Sequence, residues 1–383
     1  MRSDRADVGF IGAGQLARMS AAPAIALDVR LAVLANRPDD GAAQVIPDVM
    51  IGNPDDPAAV EALARHCDVV TFDHELVDTT LLEYLEAEGF AMRPSSSVMR
   101  LSQSKRMQRE RFHELGLPAP RFLVVTERAP VADFIDLVGL PLIVKADRGG
   151  YDGRGVWSVD DRLALDSVLD ELAERGITPI LEEQVTLERE LAMQIARSSS
   201  GVMRTYPMVE TVQIDGMLRE LIAPAPDAEA LQELARHIVE TIAADSGVIG
   251  LLAVEFFQSN GTLLINEIAT RPHNSGHYSI EGARTSQFEQ HLRSVLDLPL
   301  GSTESTAKWA VTENIVGAPA GDLTRAQIER TMALDGVHLH LYGKDVRPGR
   351  KIGHLTVLGE ELDSARSRAR AAAAIINGEC QDD

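Results

Sequence analysis

The chain has 383 residues, of which 45% are apolar and 4% aromatic, and carries a formal net charge of −21. That length suits two or three domains with ample core, and so acidic a chain is a poor fit to nucleic acid, which wants a basic face. No apolar run approaches the roughly 20 residues of a membrane span and no signal-peptide core follows the N-terminus; with only two distant cysteines, Cys67 and Cys380, there is no disulfide framework or metal motif, so a cytoplasmic protein is expected.

Residues 7–11 read as a buried strand, and Gly12-Ala-Gly-Gln-Leu-Ala17 then opens a helix in which Pro23 should cause a kink or an end. Further strands are expected at 29–35, 68–72 and 90–92, and Asp55-Asp-Pro57 is a helix start. Strands alternating with helices imply a parallel sheet covered on both faces, with ligands at its carboxyl edge. One helix is expected over 96–115, ended by Gly116 with Pro118 beyond. A strand at 122–125 and a short helix at 129–138 follow. The apolar run 140–144 reads as a strand that delivers Lys145. A helix over 160–175, strands at 179–182 and 190–196, alternating strands within 204–222 and a long amphipathic helix over 227–246 come next. Strands 250–257 and 263–268 flank Asn260-Gly261, a strong hairpin signal. Late strands at 337–342 and 352–358 precede a helix over 360–376.

Chemistry concentrates in Lys145-Ala-Asp-Arg-Gly-Gly-Tyr-Asp-Gly-Arg-Gly155. Gly149, Gly150, Gly153 and Gly155 permit close backbone approach to a ligand, successive N–H groups can cradle an anion, and Lys145 adds a point charge for phosphate. No Gly-Lys-Ser/Thr closes the loop, so it is not a P-loop; it reads as a flap over a nucleotide triphosphate. Glu255 and Glu267 lie on the two strands of the hairpin, with Asn266 and Asn274 nearby, and carboxylate oxygens with substrate phosphates suit Mg²⁺. A strict two-residue turn pairs Glu255 with Asn266 and turns Glu267 away. One extra residue or a bulge brings the glutamates opposite each other, and the metal site requires that. Arg271-Pro-His-Asn-Ser-Gly-His277 suits anion binding at a strand end, with His277 read as structural. Lys344, Arg347, Arg350 and Lys351 form a basic loop able to clamp phosphate, or a solvated hairpin. The Gly12 loop is a weak dinucleotide signal; Arg37 leaves NADP open, and its N–H groups could hold any phosphate.

Four segments, Gly-Ala-Gly-Gln-Leu-Ala-Arg-Met19, Gly-Gly-Tyr-Asp-Gly-Arg-Gly155, Asn-Glu-Ile-Ala-Thr-Arg-Pro-His-Asn-Ser-Gly-His277 and Val-Arg-Pro-Gly-Arg-Lys-Ile-Gly-His354, together resemble the ATP-grasp superfamily and within it the N5-carboxyaminoimidazole ribonucleotide synthase family. The resemblance implies an α/β fold: a Rossmann-like domain (1–95), a small α/β ATP-grasp subdomain (96–185), a catalytic ATP-grasp subdomain (186–300) and a β-rich C-terminal extension (301–383). It implies ATP and Mg²⁺, small-molecule substrates (5-aminoimidazole ribonucleotide and bicarbonate) and a homodimer. Carried over by position, Arg100 and Lys145 would contact phosphates, with Gly149, Gly150, Tyr151, Asp152, Gly153, Arg154 and Gly155 as the flap. Glu183, Gln184, Val185 and Thr186 would meet adenine, Glu190 the ribose, and Gln213, Asn266 and Glu267 the nucleotide. Glu255 and Glu267 would bind the metal. Gln15, Leu16, Asp73, Tyr151, Asp152, Arg154, Arg271, His273, Asn274, Ser275, Lys344, Arg350 and Lys351 would line the ribonucleotide site, with Lys145, Arg271, His273, Asp152 and Tyr151 closest to the chemistry. Asp73 replaces the usual Glu, Gln213 a common His and Ala17 a common Gly. A related ligase on another substrate, a non-catalytic nucleotide sensor and an NADP-dependent reductase are the rivals; retained Lys145, Glu255 and Glu267 disfavour the sensor.

Overall fold

Ala6–Ile11 (β1), Leu31–Ala35 (β2), Asp48–Ile51 (β3) and Cys67–Phe72 (β4) form a parallel sheet in the order β3-β2-β1-β4. The computed structural model describes residues 5–149, 155–317 and 323–378. Gln15–Ala26 (α1), Pro57–His66 (α2) and Thr79–Ala87 (α3) accompany this sheet, and the wholly buried β2 run shows that both its faces are covered. One expectation is corrected, and one is narrowed. Residues 90–92 contribute only an isolated bridge, Val70 to Met92, and the fourth strand is β3. Pro23 does not end α1, which runs on to Ala26. The proline lacks an N–H but lies in the last turn, where the helix can continue through its carbonyl, as the Leu27 N–H to Pro23 O bond shows.

The expected helix over 96–115 is broken in two, Ser96–Gln103 (α4) and Lys105–Glu114 (α5). Ser104 between them is extended; its hydroxyl accepts from the Met107 N–H and donates to Asp147 Oδ1 at 2.6 Å. In sequence alone, a serine that caps a new helix looks like one more helical residue. Phe122–Val124 (β5), Pro130–Val138 (α6), Leu142–Ala146 (β6), Val156–Val159 (β7), Arg162–Glu174 (α7) and Pro179–Glu183 (β8) make a second unit, an antiparallel sheet ordered β5-β8-β6-β7. One face of it, Leu142, Val144, Ala146 and Leu181, packs on Val131, Phe134, Leu165, Leu169 and Leu172 of α6 and α7. Alternation then sets Ile143, Lys145, Ile180 and Glu182 on the other face.

Arg189–Arg197 (β9), Met203–Thr205 (β10), Val209–Ile214 (β11), Met217–Ala223 (β12), Glu229–Ser246 (α8), Gly250–Ser259 (β13), Thr262–Ala269 (β14), Ser279–Gly282 (α9), Gln287–Val295 (α10), Trp309–Val316 (β15), Arg325–Met332 (α11), Val337–Leu341 (β16), Lys351–Gly359 (β17) and Leu362–Ile376 (α12) complete the chain. Their strands form one sheet, β14-β13-β9-β11-β12-β15-β17-β16, with β10 on β9. Helix α8 covers β9, β13 and β14, and α12 covers β15 and β17. Strand β15 was not expected because Thr312, Glu313 and Asn314 interrupt its apolar pattern. All three are buried: Thr312 bonds Thr356 at 2.9 Å and Asn314 Nδ2 donates to Leu218 O at 3.0 Å, while Glu313 lies opposite Glu220, itself gripped by Arg366 and Arg370. Helix α10 turns back on the parallel sheet, where Leu292 and Val295 join Val8, Phe10 and Val33 in one core and His291 Nε2 meets Thr71 Oγ1 at 2.8 Å.

Candidate functional site

The β13–β14 hairpin turns through Asn260 (φ 50°) and Gly261 (φ 70°), a two-residue connection with both φ positive. Register runs from Ser259 opposite Thr262 to Phe256 opposite Ile265, then shifts so that Glu255 faces Glu267. Asn266 is the extra residue of a bulge, the condition a shared site demands. The bulge lets two consecutive residues reach the same neighbourhood. Asn266 Oδ1 accepts from Lys145 Nζ at 3.0 Å, while Glu267 takes an ion pair from Lys105.

Lys145 comes from β6, on the face of the small sheet turned away from α6 and α7. Its ammonium donates to Glu182 Oε2 at 2.8 Å, and Arg109 Nε of α5 donates to Glu182 Oε1 at 2.7 Å. The three side chains are 7%, 2% and 1% exposed. Burial would raise the Glu182 carboxyl, but the Arg109 and Lys145 charges hold it down to about 2. Burial pulls Lys145 below its ordinary value, against the pull of Glu182. Two cations share one carboxylate, so the cluster keeps a surplus positive charge beside Asn266.

Around Glu255 the balance is reversed. Burial, then the charges of Glu267 and Glu190, push its carboxyl up to about 8. Glu190 is raised by burial, opposed by a hydrogen bond from Gln213. Burial would lift Glu267 as well, but Lys105 outweighs it and holds the group below its usual range. Crowded carboxylates that resist ionising together form the hard oxygen donor set Mg²⁺ takes, alongside phosphate oxygens. Glu255 and Glu267 therefore fit the metal. No group of three His, Cys, Asp or Glu side chains able to hold an ion occurs among the described residues.

The segment after β14 adjoins this pair. His273 Nε2 lies 3.6 Å from Glu255 Oε1, and its Nδ1 is 2.8 Å from Ser275 Oγ. Burial, helped by the Arg271 charge, brings His273 down to about 3, so it is a neutral imidazole at pH 7. Arg271 Nε donates to Glu75 Oε2 at 2.6 Å, which fixes it across to the parallel sheet. Ser275 is buried and accepts from Gln194 Nε2 at 2.6 Å. Asn274 Nδ2 is buried with no partner among the described residues, as a ligand-facing amide would be. His277 is structural as expected, buried against His354 and bonded to Gln287.

The Gly12 loop differs from its expected use. Asp73 accepts from the Gly14 N–H at 3.0 Å and the Ala17 N–H at 2.8 Å. A Cβ on Gly14 would stand 2.1 Å from Asp73 Oδ2, so this approach requires glycine. The protein's own carboxylate fills the anion position at the α1 N-terminus, which removes the phosphate cradle and with it the dinucleotide alternative. Asp73 thus caps α1, and Leu16 is only 2% exposed, inside the core. Gln15 does face outward: Lys344 Nζ donates to its Oε1, joining the first loop to the basic loop 329 residues later. Arg350 leans on Asp345, and the Lys351 charge reaches Glu255 and His273.

Arg100 pairs with Glu83 at 2.7 Å, on the α3–α4 side. Glu183 is held by Arg121, while Gln184 and Thr186 are exposed and Val185 half-buried in the link between β8 and β9. Gly149 and Gly155 have φ of 78° and 73°, as a glycine-dependent turn requires. Gly150, Tyr151, Asp152, Gly153 and Arg154 lie outside the described residues, and with them the expected flap. Four participants went unnoticed in the sequence: Glu75, Lys105, Arg109 and Glu182. Lys105 and Arg109 stand four apart on α5, so a break recognised at Ser104 would have put them on one face.

The chain matches the ribonucleotide synthetase preATP-grasp domain over residues 5–103, the ATP-grasp domain over 110–288 and the phosphoribosylaminoimidazole carboxylase C-terminal domain over 310–368. It is 43% identical over 371 residues to N5-carboxyaminoimidazole ribonucleotide synthase of Mycobacterium tuberculosis, covering 96% of this chain and 86% of that one. It is 41% identical to the Corynebacterium ammoniagenes protein of that name, covering 96% and 91%. The crystal structure of the Aspergillus clavatus synthase in complex with ADP and 5-aminoimidazole ribonucleotide superposes with a TM-score of 0.88 at 30% identity, covering 98% and 99%. That of the Thermus thermophilus enzyme gives 0.87 at 34%, covering 98% and 100%.

Proposed function

Because the chain belongs to the N5-carboxyaminoimidazole ribonucleotide synthase family of ATP-grasp ligases, we propose that it carboxylates 5-aminoimidazole ribonucleotide at the expense of ATP, in purine biosynthesis. A bicarbonate oxygen attacks the γ-phosphorus as the bond to ADP breaks, giving carboxyphosphate. Its C–O bond then breaks to release CO₂ and phosphate, and the exocyclic amine of the imidazole forms the new C–N bond, losing a proton. Little covalent work falls to the protein; positioning and charge neutralisation dominate.

One observation carries this reading: the bulge at Asn266 brings Lys145 and the Glu255–Glu267 pair to one place. Lys145 is assigned to the phosphates, which match the cluster's surplus positive charge. Mg²⁺, held by Glu255 and Glu267, would neutralise phosphoryl oxygens. Arg271, held by Glu75, is assigned to the bicarbonate-derived anion. The neutral His273, Asn274 and Lys351 are assigned to the ribonucleotide side. We further assign the finer features the family resemblance implies, a cytoplasmic homodimer, to be checked by sedimentation equilibrium; no helix among the described residues is long and apolar enough to cross a membrane.

The test is ADP release with each substrate omitted in turn. Dependence on both the aminoimidazole ribonucleotide and bicarbonate is expected; ADP release indifferent to either would reject the assignment.

A further inference from the structure

We propose that Glu182 is a positioning residue for phosphoryl transfer: by bridging Arg109 and Lys145 it aims the Lys145 ammonium beside Asn266 and keeps it a cation. The inference rests on the ATP-dependent reading above. Glu182 lies on β8 opposite Ile143, and Lys145 opposite Ile180, so the two are diagonal neighbours on one sheet face. Each Glu182 oxygen has one cation, at 2.7 and 2.8 Å, and the carboxylate is 2% exposed. Nothing about nucleotide contact requires an acid there. Among the described residues, two of the three Lys145 N–H bonds are committed, to Glu182 and to Asn266 at 3.0 Å, and the ammonium lies 5.9 Å from the centre of the Phe257 ring.

The far side of the bridge is anchored too. Arg109 sits on α5, whose N-terminus is tied to the end of β6: Asp147 accepts from the Ser104 hydroxyl at 2.6 Å and the Arg106 N–H at 2.9 Å. A guanidinium cannot lose its proton, whereas a buried ammonium can, so of the two cations only Lys145 depends on Glu182 for its charge. The other charges facing Lys145 are Arg109 and Lys105 from α5, which oppose its protonation, and Glu190 from β9 and Glu267 from β14, which favour it. Glu267 is already engaged by Lys105.

The experiment measures kcat/KM for ATP between pH 6 and 9.5 for the wild type, Glu182→Gln and Glu182→Asp, by ADP release dependent on ribonucleotide and bicarbonate. The amide keeps the shape but leaves two buried cations uncompensated. The alkaline limb of the profile is expected to move down by at least about one pH unit, with activity partly recovered toward pH 6. Glu182→Asp keeps the charge on a shorter arm; it should retain the wild-type limb and raise KM for ATP. A Glu182→Gln profile of wild-type shape, whatever its height, overturns the proposal. Should that variant not fold, an Asp variant with unchanged KM overturns it equally. Competitive amine labelling of Lys145 across the same pH range separates this proposal from the functional assignment, because it needs no turnover. Earlier labelling in Glu182→Gln than in the wild type supports the bridge, and coincident curves refute it. A wild type that releases no substrate-dependent ADP defeats the assignment alone.

Discussion

His291 offers a sharp test of how the parallel sheet is joined to the large one. Its imidazole is wholly buried, bonded through Nε2 to Thr71, and burial brings it down to about 3. Above about pH 6.5 the residue is neutral folded or unfolded and contributes no pH dependence. Below that value the unfolded chain takes up a proton the fold refuses, so stability falls by about 1.4 kcal/mol per pH unit until about pH 3. Between pH 7.0 and 5.5 the loss from this one side chain comes to about 1.3 kcal/mol. His291→Leu removes the titration together with the hydrogen bond. At pH 7 it should be less stable than wild type by about 1–2 kcal/mol, because the buried Thr71 hydroxyl loses its partner. By pH 5.5 the gap should close by about 1.3 kcal/mol, whatever the other titrating groups do, since they are common to both proteins. Urea unfolding followed by far-UV circular dichroism at pH 7.0, 6.0 and 5.5 reads this double difference. Parallel stability curves for the two proteins would refute a buried neutral His291.

Asp73→Ala deprives two N–H groups at the start of α1 of their acceptor and should cost about 1–2 kcal/mol, with Asp73→Asn recovering part; calorimetric melting that is unchanged would show the cap contributes nothing. Glu267→Gln should raise the Mg²⁺ concentration for half-maximal ADP release at least about tenfold, equivalent to about 1.4 kcal/mol; an unaltered Mg²⁺ dependence would place Glu267 outside the metal site.

Local signals carried much of the architecture. Asn260-Gly261 marked the hairpin because only a few residues tolerate two positive φ angles in succession, and the need for an extra residue followed from strand parity alone. Which residue would bulge did not, since Asn266 has its place through Lys145, 121 positions away. Glu182 was opaque for a related reason. In Pro-Ile-Leu-Glu-Glu183 neighbouring glutamates point to opposite faces, and nothing local tells which one is buried against an arginine and a lysine. The capping role of Asp73 was hidden because the N–H groups it accepts from lie 59 and 56 positions earlier. In β15, three buried polar side chains, Thr312 bonded to β17, Asn314 bonded to β12 and Glu313 opposite Glu220, concealed a core strand.

The pairing of β12 with β15 has a consequence for dissecting the protein. The C-terminal strands are hydrogen-bonded into the sheet that carries Glu255 and Glu267, not appended to it. Cutting the chain near residue 300 would bare β12 on one fragment and β15 on the other, two raw edges with unmet backbone donors and acceptors. Neither piece would be a self-sufficient module. Expressed apart, each would seek any exposed strand and aggregate; expressed together, they would reassemble by strand addition along that seam.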